Sequence, residues 1–367
     1  MKTKKIGKII LKVLLILVIL FVVFVIGVFV VHQVKRNEEI NLLKEKGYYN
    51  PVSVGEYNIN VAKFGNENGK HTIVAMAGLG SGDYPVSVRK ATAEIEKDNL
   101  LVFPQREGYG LSDGTDAEMT IEHIVEEYRT ALKNADIAPP YVLLPHSIGG
   151  PYATYWVSKY PEEIEGVVIL DGTALDEMTF QDEPYHKVDF NDKFMAFLCK
   201  MGFSRLVLRQ SNYLYPDYYS EEEQKLGDAL MLMTQENVNC ASEYGCLAQN
   251  CKKAYENIIT NDVPKVYICA GSGYESREDI EANNNWVNEQ IKRNNLNMPL
   301  RETTDDIVQV ILEACEESRN TSIYPYAEKM GNCEVVLLGG DHQIYQQRPE
   351  ECAKILKDFV DGLDKKE

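Results

Sequence analysis

The chain has 367 residues, of which 44% are hydrophobic and 26% are charged, a composition typical of a globular protein with a sizeable core. This length allows one large domain with an insertion, or two domains. The net charge is −18, and the first 36 residues hold seven Lys or Arg and no acidic residue, which leaves −25 on the remainder. A body this acidic repels nucleic acid at long range, so nucleic acid is disfavoured as a partner.

The N-terminal region carries a membrane-spanning pattern. Residues 13–31 form an unbroken apolar run without a charge, long enough to cross the ~30 Å of a bilayer core as a helix. A cleaved signal peptide would have a shorter run followed by small residues, whereas His32 and four further residues ending in Arg36 follow here. The sequence therefore predicts a retained transmembrane helix at 13–31, after a basic tail at 1–12 and before a linker or short helix at 32–48.

The basic residues on either side of this span predict its orientation. Five lysines precede it, against only Lys35 and Arg36 just after it. Positive charges accumulate on the cytoplasmic side of membrane helices. We therefore expect a single-pass protein of the cell membrane with a cytoplasmic N-terminus and an extracytoplasmic body.

The first half of the body alternates between strand-like and helical patterns. Continuous apolar runs predict strands buried on both faces, preceded by an alternating strand at 57–64. The predicted buried strands are 72–77, 100–104, 141–145 and 166–170, and the predicted helices are 86–97, 121–134 and the stretch after residue 147. This alternation is typical of an α/β protein with a mostly parallel sheet and helices on both faces.

The second half begins with an interruption of that rhythm. Residues 175–262 contain no clear strand, and helical patterns occupy 193–209, 221–236 and 241–260. Strands return at 263–270 and 333–338, with helices predicted at 278–293, 305–318 and 349–363. The sequence thus predicts a core made of 49–174 and 263–367 that carries a helical cap at 175–262.

The apolar residues of the cap have two interpretations. They form the cap's own core, or some of them line an acyl pocket. These residues are Phe194, Met195, Phe197, Leu198, Met201 and Phe203, with Tyr213, Tyr215, Tyr218 and Tyr219 beyond them.

The eight cysteines predict neither a metal site nor a defined disulfide framework. Cys240, Cys246 and Cys251 cluster in the cap, with Cys199 as a further neighbour, and a disulfide among them is left open for an exported domain. Their spacing does not match a zinc pattern and no His lies nearby. We predict no metal and no organic cofactor.

A strand, a sharp turn and a helix meet at Ser147. The apolar run 141–145 is followed by His146, Ser147, Ile148 and two glycines, after which a helical pattern begins. This is the context of a nucleophile elbow, in which a strained turn lifts a Ser hydroxyl clear of the sheet. The match to G-x-S-x-G is partial because Pro145 replaces the first Gly.

Further motifs resemble those of the α/β-hydrolase fold family over residues 49–363. The segment Arg106 to Asp113 is similar to the family's R-G-x-G-x-S, and His342 with the helix after Pro349 is similar to its catalytic-His loop. The family's Ser–acid–His order also matches. The resemblance implies an ester hydrolase that forms an acyl-enzyme.

His342 is the predicted base, since a Ser hydroxyl needs a neighbouring base to become a nucleophile. Apart from His146, it alone among the six histidines follows the C-terminal end of a strand, where ligand sites of open α/β sheets lie. His146 adjoins the nucleophile, and its direction from the turn does not suit a base.

The third member of the triad has two candidates. The acid of most family members follows the penultimate strand, where this chain has Gly273 with Glu275 close by. Asp171 ends the preceding strand, which is the other position that family members use. We predict Asp171 and keep Glu275 as the alternative.

The resemblance places the oxyanion hole at the backbone N–H groups of Ile148 and Leu79. The family usually has His-Gly before the second donor, and this chain has Ala77-Gly78. Backbone donors need no particular side chain, so the hole is expected to survive this departure.

The sequence therefore predicts a membrane-anchored serine hydrolase that cleaves a small-molecule ester, amide or lipid. Pro145, the missing oxyanion-loop His and the uncertain acid motivate one alternative, a non-catalytic ligand-binding or scaffold protein on the same fold. A peptidase of the same fold is another. Oligomeric state is not predicted.

Overall fold

A computed structural model describes residues 2–177, 185–207, 215–294 and 296–364. Its first element is α1 (Lys2–Glu45), within the described residues the one helix long and apolar enough to span a bilayer. The helix does not end where the apolar run ends. It continues without a break through residues 32–45, so most of the region predicted as a linker or short helix extends the same helix.

A single sheet of eight strands, counted over the described ranges, forms the centre of the body. The strands are β1 (Pro51–Ser53), β2 (Asn58–Gly65), β3 (Thr72–Met76), β4 (Leu100–Pro104), β5 (Tyr141–Pro145), β6 (Ile164–Leu170), β7 (Lys265–Cys269) and β8 (Cys333–Leu337). Their order in the sheet is β1-β2-β4-β3-β5-β6-β7-β8. The first two strands are antiparallel to their neighbours and all other pairs are parallel. The prediction of a mostly parallel sheet is confirmed.

Helices connect the strands on both faces. In the first half they are α2 (Tyr84–Ser87), α3 (Arg89–Thr92), α4 (Ile121–Asn134) and α5 (Gly149–Lys159). After β7 come α10 (Arg277–Arg293), α11 (Asp305–Ser318), α12 (Tyr324–Met330), α13 (Ile344–Gln347) and α14 (Pro349–Leu363). The helix predicted at 86–97 is instead split into α2, α3 and a 3₁₀ turn at Ile95–Lys97.

The apolar core lies in two layers, one on each face of the sheet. On one face, Tyr128, Tyr152 and Trp156 of α4 and α5 pack on the strands, and the rings of Tyr128 and Trp156 stack. On the other face, Tyr84, Tyr345 and side chains of α14 fill the second layer. Both faces are therefore covered, as the continuous apolar strands require.

The cap consists of helices. They are α6 (Phe190–Lys200), α7 (Ser204–Val207), α8 (Glu221–Gln235) and α9 (Asn239–Glu256). The predicted helix 193–209 is interrupted where Gly202 takes a φ of +87°, and its last two residues, like Tyr213, lie outside the described residues. All eight cysteines are described, and all are free thiols.

The C-terminal third of α1 packs on the cap. Leu43 of α1 is fully buried against Leu226, Leu230 and Met233 of α8. Arg36 Nε donates to Glu236 Oε2 at 2.9 Å, within the same contact. The apolar helix that leads into the body is thus joined to the cap by both apolar and ionic contacts.

Candidate active site

The turn after β5 holds Ser147 in a left-handed backbone conformation with a φ of +54°. Non-glycine residues rarely adopt this region, so the strain is the one expected of a nucleophile elbow. Close approaches of the backbone explain the surrounding small residues. A Cβ on Gly149 would lie 2.8 Å from the carbonyl oxygen of Met76, and a Cβ on Gly78 would lie 3.1 Å from Cβ of Ser147.

The structure brings Ser147, His342 and Asp171 into one hydrogen-bonded chain. Nε2 of His342 lies 2.9 Å from Oγ of Ser147, and Nδ1 lies 2.7 Å from Oδ2 of Asp171. An ionised carboxylate can only accept a hydrogen bond, so Nδ1 carries the proton and Nε2 accepts from the Ser hydroxyl. The three residues follow β5, β6 and β8, whose carboxyl ends meet at one edge of the sheet.

Asp171 is fixed by the neighbouring strand. Its Oδ1 accepts the backbone N–H groups of Ala270 at 2.7 Å and Gly271 at 3.1 Å, just after β7. The backbone of Asp171 is itself left-handed, with a φ of +41°. These two donors leave Oδ2 directed at the imidazole.

Glu275 occupies a different environment. Its side chain is exposed, and its backbone N–H faces Asp279 at 3.4 Å, at the start of α10. Within the described residues, the hydrogen bonds of the His342 ring nitrogens go to Ser147 and Asp171. The alternative acid is therefore not in contact with the imidazole in this structure.

The hydrogen bond that His342 donates to Asp171 raises the pKa of His342 above its usual 6.5, because the carboxylate stabilises the imidazolium. Burial acts in the opposite direction and is outweighed. The His342 side chain keeps 55% of its surface exposed, so solvent reaches the ring.

His146 contributes to the site in a way that the sequence did not reveal. Its ring is buried between the rings of Tyr84 and His342, with a centroid separation of 4.7 Å from the latter. Its Nε2 lies 3.0 Å from the backbone carbonyl oxygen of His342 and donates to it. Burial and the nearby His342 lower the pKa of His146 to about 3, so it remains neutral and supports the loop that carries His342.

The loop after β3 carries one of the two expected oxyanion donors. In the part of the chain that the structure describes, neither the N–H of Leu79 nor that of Ile148 has a hydrogen-bond acceptor. The next N–H, that of Gly80, donates to the hydroxyl of Tyr109 at 2.9 Å. Two backbone donors therefore remain available beside Ser147.

The buried guanidinium of Arg106 binds the loop after β3, which contains Leu79 and is named the oxyanion loop for its expected role. Nη1 of Arg106 donates to the carbonyl oxygen of Ala77 at 2.7 Å, and Nη2 donates to that of Gly78 at 2.8 Å. Its Nε donates to Glu243 of the cap helix α9 at 3.1 Å, and both side chains of this ion pair are fully buried. The two clamped carbonyls precede Leu79, so Arg106 fixes the direction of the Leu79 N–H.

The partners of Glu243 extend the same network. The hydroxyl of Tyr109 donates to Oε2 at 2.6 Å, and that of Tyr152 donates to Oε1 at 2.9 Å. The sequence placed Arg106 in a segment similar to a family motif. It did not predict the role of Glu243, because nothing in the sequence distinguishes this residue from an exposed glutamate of a polar helix.

Two uncharacterised relatives show sequence similarity to this chain, and no protein-family model matches it. YbdG of Bacillus subtilis (strain 168) is 27% identical over 267 residues, which is 70% of this chain and 80% of YbdG. YqjL of the same organism is 33% identical over 118 residues, 32% of this chain and 46% of YqjL. Neither description states an activity.

Solved structures of known enzymes share the fold at low sequence identity. The haloalkane dehalogenase DbeA from Bradyrhizobium elkani USDA94 is 14% identical, with 87% of this chain and 99% of DbeA covered and a TM-score of 0.53. A putative lipase from Acinetobacter baumannii AYE is 15% identical, with 91% and 97% covered and a TM-score of 0.52. The enol-lactonase from Burkholderia xenovorans LB400 is 15% identical, with 85% and 99% covered and a TM-score of 0.52.

The chain has the α/β-hydrolase fold. This confirms the fold expected from the motifs, including the helical cap between β6 and β7. The departures from the common motifs are accommodated locally. Pro145 pairs with Met76 at the end of β5, and Ala77, at the position of the family's usual His, has its carbonyl oxygen bound by Arg106.

A cavity of about 380 Å³ lies between the α/β-hydrolase core and the cap. It borders Leu79 of the oxyanion loop and Gln343, the residue after His342. The cap contributes both apolar and polar walls, among them Met231 and Thr234 of α8. The cavity therefore reaches from the oxyanion loop into the cap.

Among the residues that the structure describes, two clusters of His and carboxylate side chains have ligand atoms close enough to hold a cation. They are Glu107, His123 and Glu127, and His186, Asp189 and Asp192. In the first cluster, His123 Nε2 bonds to Glu107 at 2.8 Å and Tyr57 donates to Glu127 at 3.0 Å. Burial raises the pKa of Glu127 to about 7. These contacts already satisfy the cluster, and it lies apart from the Ser147 chain of hydrogen bonds.

Proposed function

We propose that this protein is a membrane-anchored serine hydrolase that cleaves a carboxylic ester or amide through an acyl-enzyme. The observation that carries the proposal is the continuous hydrogen-bonded chain from Ser147 through His342 to Asp171. A Ser hydroxyl, an imidazole and a carboxylate in this order are the parts of a catalytic triad, which is recognised by geometry and roles. The left-handed backbone at Ser147 supports the same assignment.

Acylation begins when the Ser147 oxygen attacks the substrate carbonyl carbon while its proton passes to Nε2 of His342. Asp171 stabilises the imidazolium that results and keeps Nδ1 protonated. The negative charge on the carbonyl oxygen is stabilised by the N–H groups of Leu79 and Ile148. His342 then gives its proton to the leaving alcohol or amine, and the C–O or C–N bond breaks.

Deacylation repeats these steps with water. His342 removes a proton from the water, whose oxygen attacks the acyl carbon. The imidazolium then returns the proton to Ser147, and the acid is released. The reaction requires only the substrate, water and these side chains.

The substrate is proposed to be a small ester, amide or lipid, whose acyl or leaving group enters the cavity beside Leu79. The volume of about 380 Å³ falls near the lower end of small-molecule sites. Three glutamine side chains among the lining residues favour a group that combines apolar surface with hydrogen-bonding atoms. They are Gln235, Gln343 and Gln346.

Anchoring by α1 is the other part of the proposal. The run at 13–31 is exposed along its length and has the length that a bilayer core requires. The excess of lysines before the run supports an N-terminus in the cytoplasm and a catalytic domain outside.

A series of short-chain esters tests the activity. The detergent-solubilised full chain is compared with Ser147→Ala, and each ester is followed by the appearance of its acid. We expect turnover by the parent chain and loss of at least about 10³-fold in kcat for the variant. An ester that binds and is recovered unchanged across the series would instead favour a ligand-binding protein on this fold.

A further inference from the structure

The cap exposes a row of large apolar side chains on α6. Phe190, Phe194 and Phe197 recur at the spacing of one helix face, and the rings of the first two stack with centroids 6.0 Å apart. Phe190 is 78% exposed, Phe194 is 46% exposed and Phe197 is 54% exposed. Single exposed apolar residues are ordinary, but a continuous row of this kind indicates a contact surface.

The other face of α6 is already used inside the cap. Ala196 is buried, and Leu198 and Cys199 are half-buried. The inward face of α6 thus packs in the cap, while its row of phenylalanines is turned outward. Lys193 and Lys200 lie along the same helix, and such a combination of aromatic and basic residues is typical of helices that lie in a membrane interface.

The contact between α1 and the cap fixes where α6 lies relative to the bilayer. His32 is the first residue after the apolar run, and a Cβ on Gly202 would lie 2.4 Å from Cβ of His32. Arg205 of α7 donates from Nε to Nδ1 of His32 at 2.9 Å and from Nη1 to Glu39 at 2.7 Å. The connection between α6 and α7 is thus held against the turn of α1 that leaves the apolar run.

The contact between Gly202 and His32 places the C-terminal end of α6 within reach of lipid headgroups. One helical turn rises 5.4 Å, and the headgroup region adds roughly 5–7 Å to each side of the hydrocarbon core. Because α6 ends two residues before Gly202, its C-terminal end lies beside this region if residues 13–31 span the bilayer. Leu206 of α7, 57% exposed, extends the apolar surface next to α1.

We propose that the outward face of α6, formed by Phe190, Phe194 and Phe197, docks on the phospholipid bilayer that α1 crosses. The surface continues the membrane contact of α1 rather than forming a separate one, and the ion pairs of Arg205 and Arg36 hold it in place. The proposal rests on the membrane anchoring in the proposed function. The cap is accordingly held against the bilayer, instead of moving freely at the end of a flexible tether.

Tryptophan fluorescence in nanodiscs tests this contact. The full chain is reconstituted into phosphatidylcholine nanodiscs whose lipids are brominated on the upper part of the acyl chains, since bromine quenches tryptophan only at short range. Three single variants are compared with the parent, whose Trp156 and Trp286 supply the background: Phe197→Trp on α6, Phe21→Trp in the apolar run, and Ile259→Trp as a matched control. Ile259 is 62% exposed and lies just before β7, at the amino edge of the sheet.

We expect bromolipids to remove roughly half or more of the added fluorescence in Phe197→Trp and Phe21→Trp, and almost none in Ile259→Trp. If Phe21→Trp is quenched but Phe197→Trp matches the Ile259→Trp control, the face of α6 is covered by protein or water and the docking proposal is wrong. If Phe21→Trp is also unquenched, the anchoring itself is wrong and the docking proposal falls with it. The readout does not depend on turnover, so it separates these failures from a failure of the hydrolase assignment.

Discussion

The imidazole of His342 lies between the hydroxyl of Ser147 and the carboxylate of Asp171. The backbone carbonyl of His342 accepts a hydrogen bond from His146. The ring is therefore positioned from both the side chain and the main chain. Asp171 determines which nitrogen carries the proton, and this is the property on which the proposed role as a base depends.

Replacement of the proposed acid should separate the two candidates. Asp171→Asn is expected to lower kcat by up to about 10⁴, because the imidazole loses control of its tautomer while the fold is kept. Glu275→Gln is the matched control, since it makes the same change to an exposed carboxylate without contact to His342. Ester hydrolysis by the folded variants is the measurement, and the opposite order of the two effects would move the assignment to Glu275.

The pH dependence of hydrolysis should depend on the contact between His342 and Asp171. His342 acts as a base only when neutral, and Asp171 raises its pKa, so kcat/KM should rise with pH through a midpoint above 6.5. In Asp171→Asn the residual activity should show a lower midpoint, because the neutral amide no longer stabilises the imidazolium. If the midpoint is the same in both proteins, the rise of kcat/KM with pH reports the titration of a group other than His342.

At the scale of elements, the cap helix α9 and the oxyanion loop are connected through the buried pair of Glu243 and Arg106. The guanidinium is shared between a carboxylate from the cap and two carbonyls of the loop. Any shift of α9 therefore changes the support of the Leu79 N–H.

This connection predicts that removal of a hydroxyl from the network slows chemistry without weakening substrate binding. Tyr109→Phe deletes the group that accepts the Gly80 N–H and donates to Glu243, and kcat should fall by about tenfold with KM nearly unchanged. Tyr141→Phe is the control, because it removes an equally buried hydroxyl whose acceptor is the carbonyl of Ile137, away from the site. Equal effects of the two substitutions on kcat would mean that the network serves stability alone.

The elements were largely predictable because apolar periodicity and strand–helix alternation are local signals. The eight-stranded order and the antiparallel β1 and β2 follow from pairing between distant segments, which periodicity does not encode. Ser147, His342 and Asp171 could be predicted from the sequence because each follows a strand that ends at one edge of the sheet. Their catalytic roles remain predictions. The contributions of His146 and Glu243 were missed because they arise from contacts between residues far apart in the chain, such as the 137 residues between Arg106 and Glu243.

At the scale of the whole molecule, α1 and the cap form one unit. The helix continues past the apolar run, and its residues Arg36 and Leu43 contact α8 and Glu236 at the C-terminal end of α8. If α1 spans a membrane, the position of the proposed catalytic edge relative to it is therefore determined by packing rather than by linker length.

The orientation of this unit can be tested on cells. The lysines before residue 13 predict that the domain faces the outside, so protease added to intact cells should digest it while a cytoplasmic marker survives. Digestion only after lysis would mean that the orientation is reversed.

Covalent labelling tests the central claim most directly. A fluorophosphonate reacts with a Ser oxygen only when a base and an oxyanion hole activate it, so the folded full chain should be labelled once, on the peptide that contains Ser147. Ser147→Ala should not be labelled, and denaturation before the reaction should abolish labelling of the parent. Absence of labelling in the folded parent, or equal labelling of Ser147→Ala, would contradict the assignment of this protein as a serine hydrolase.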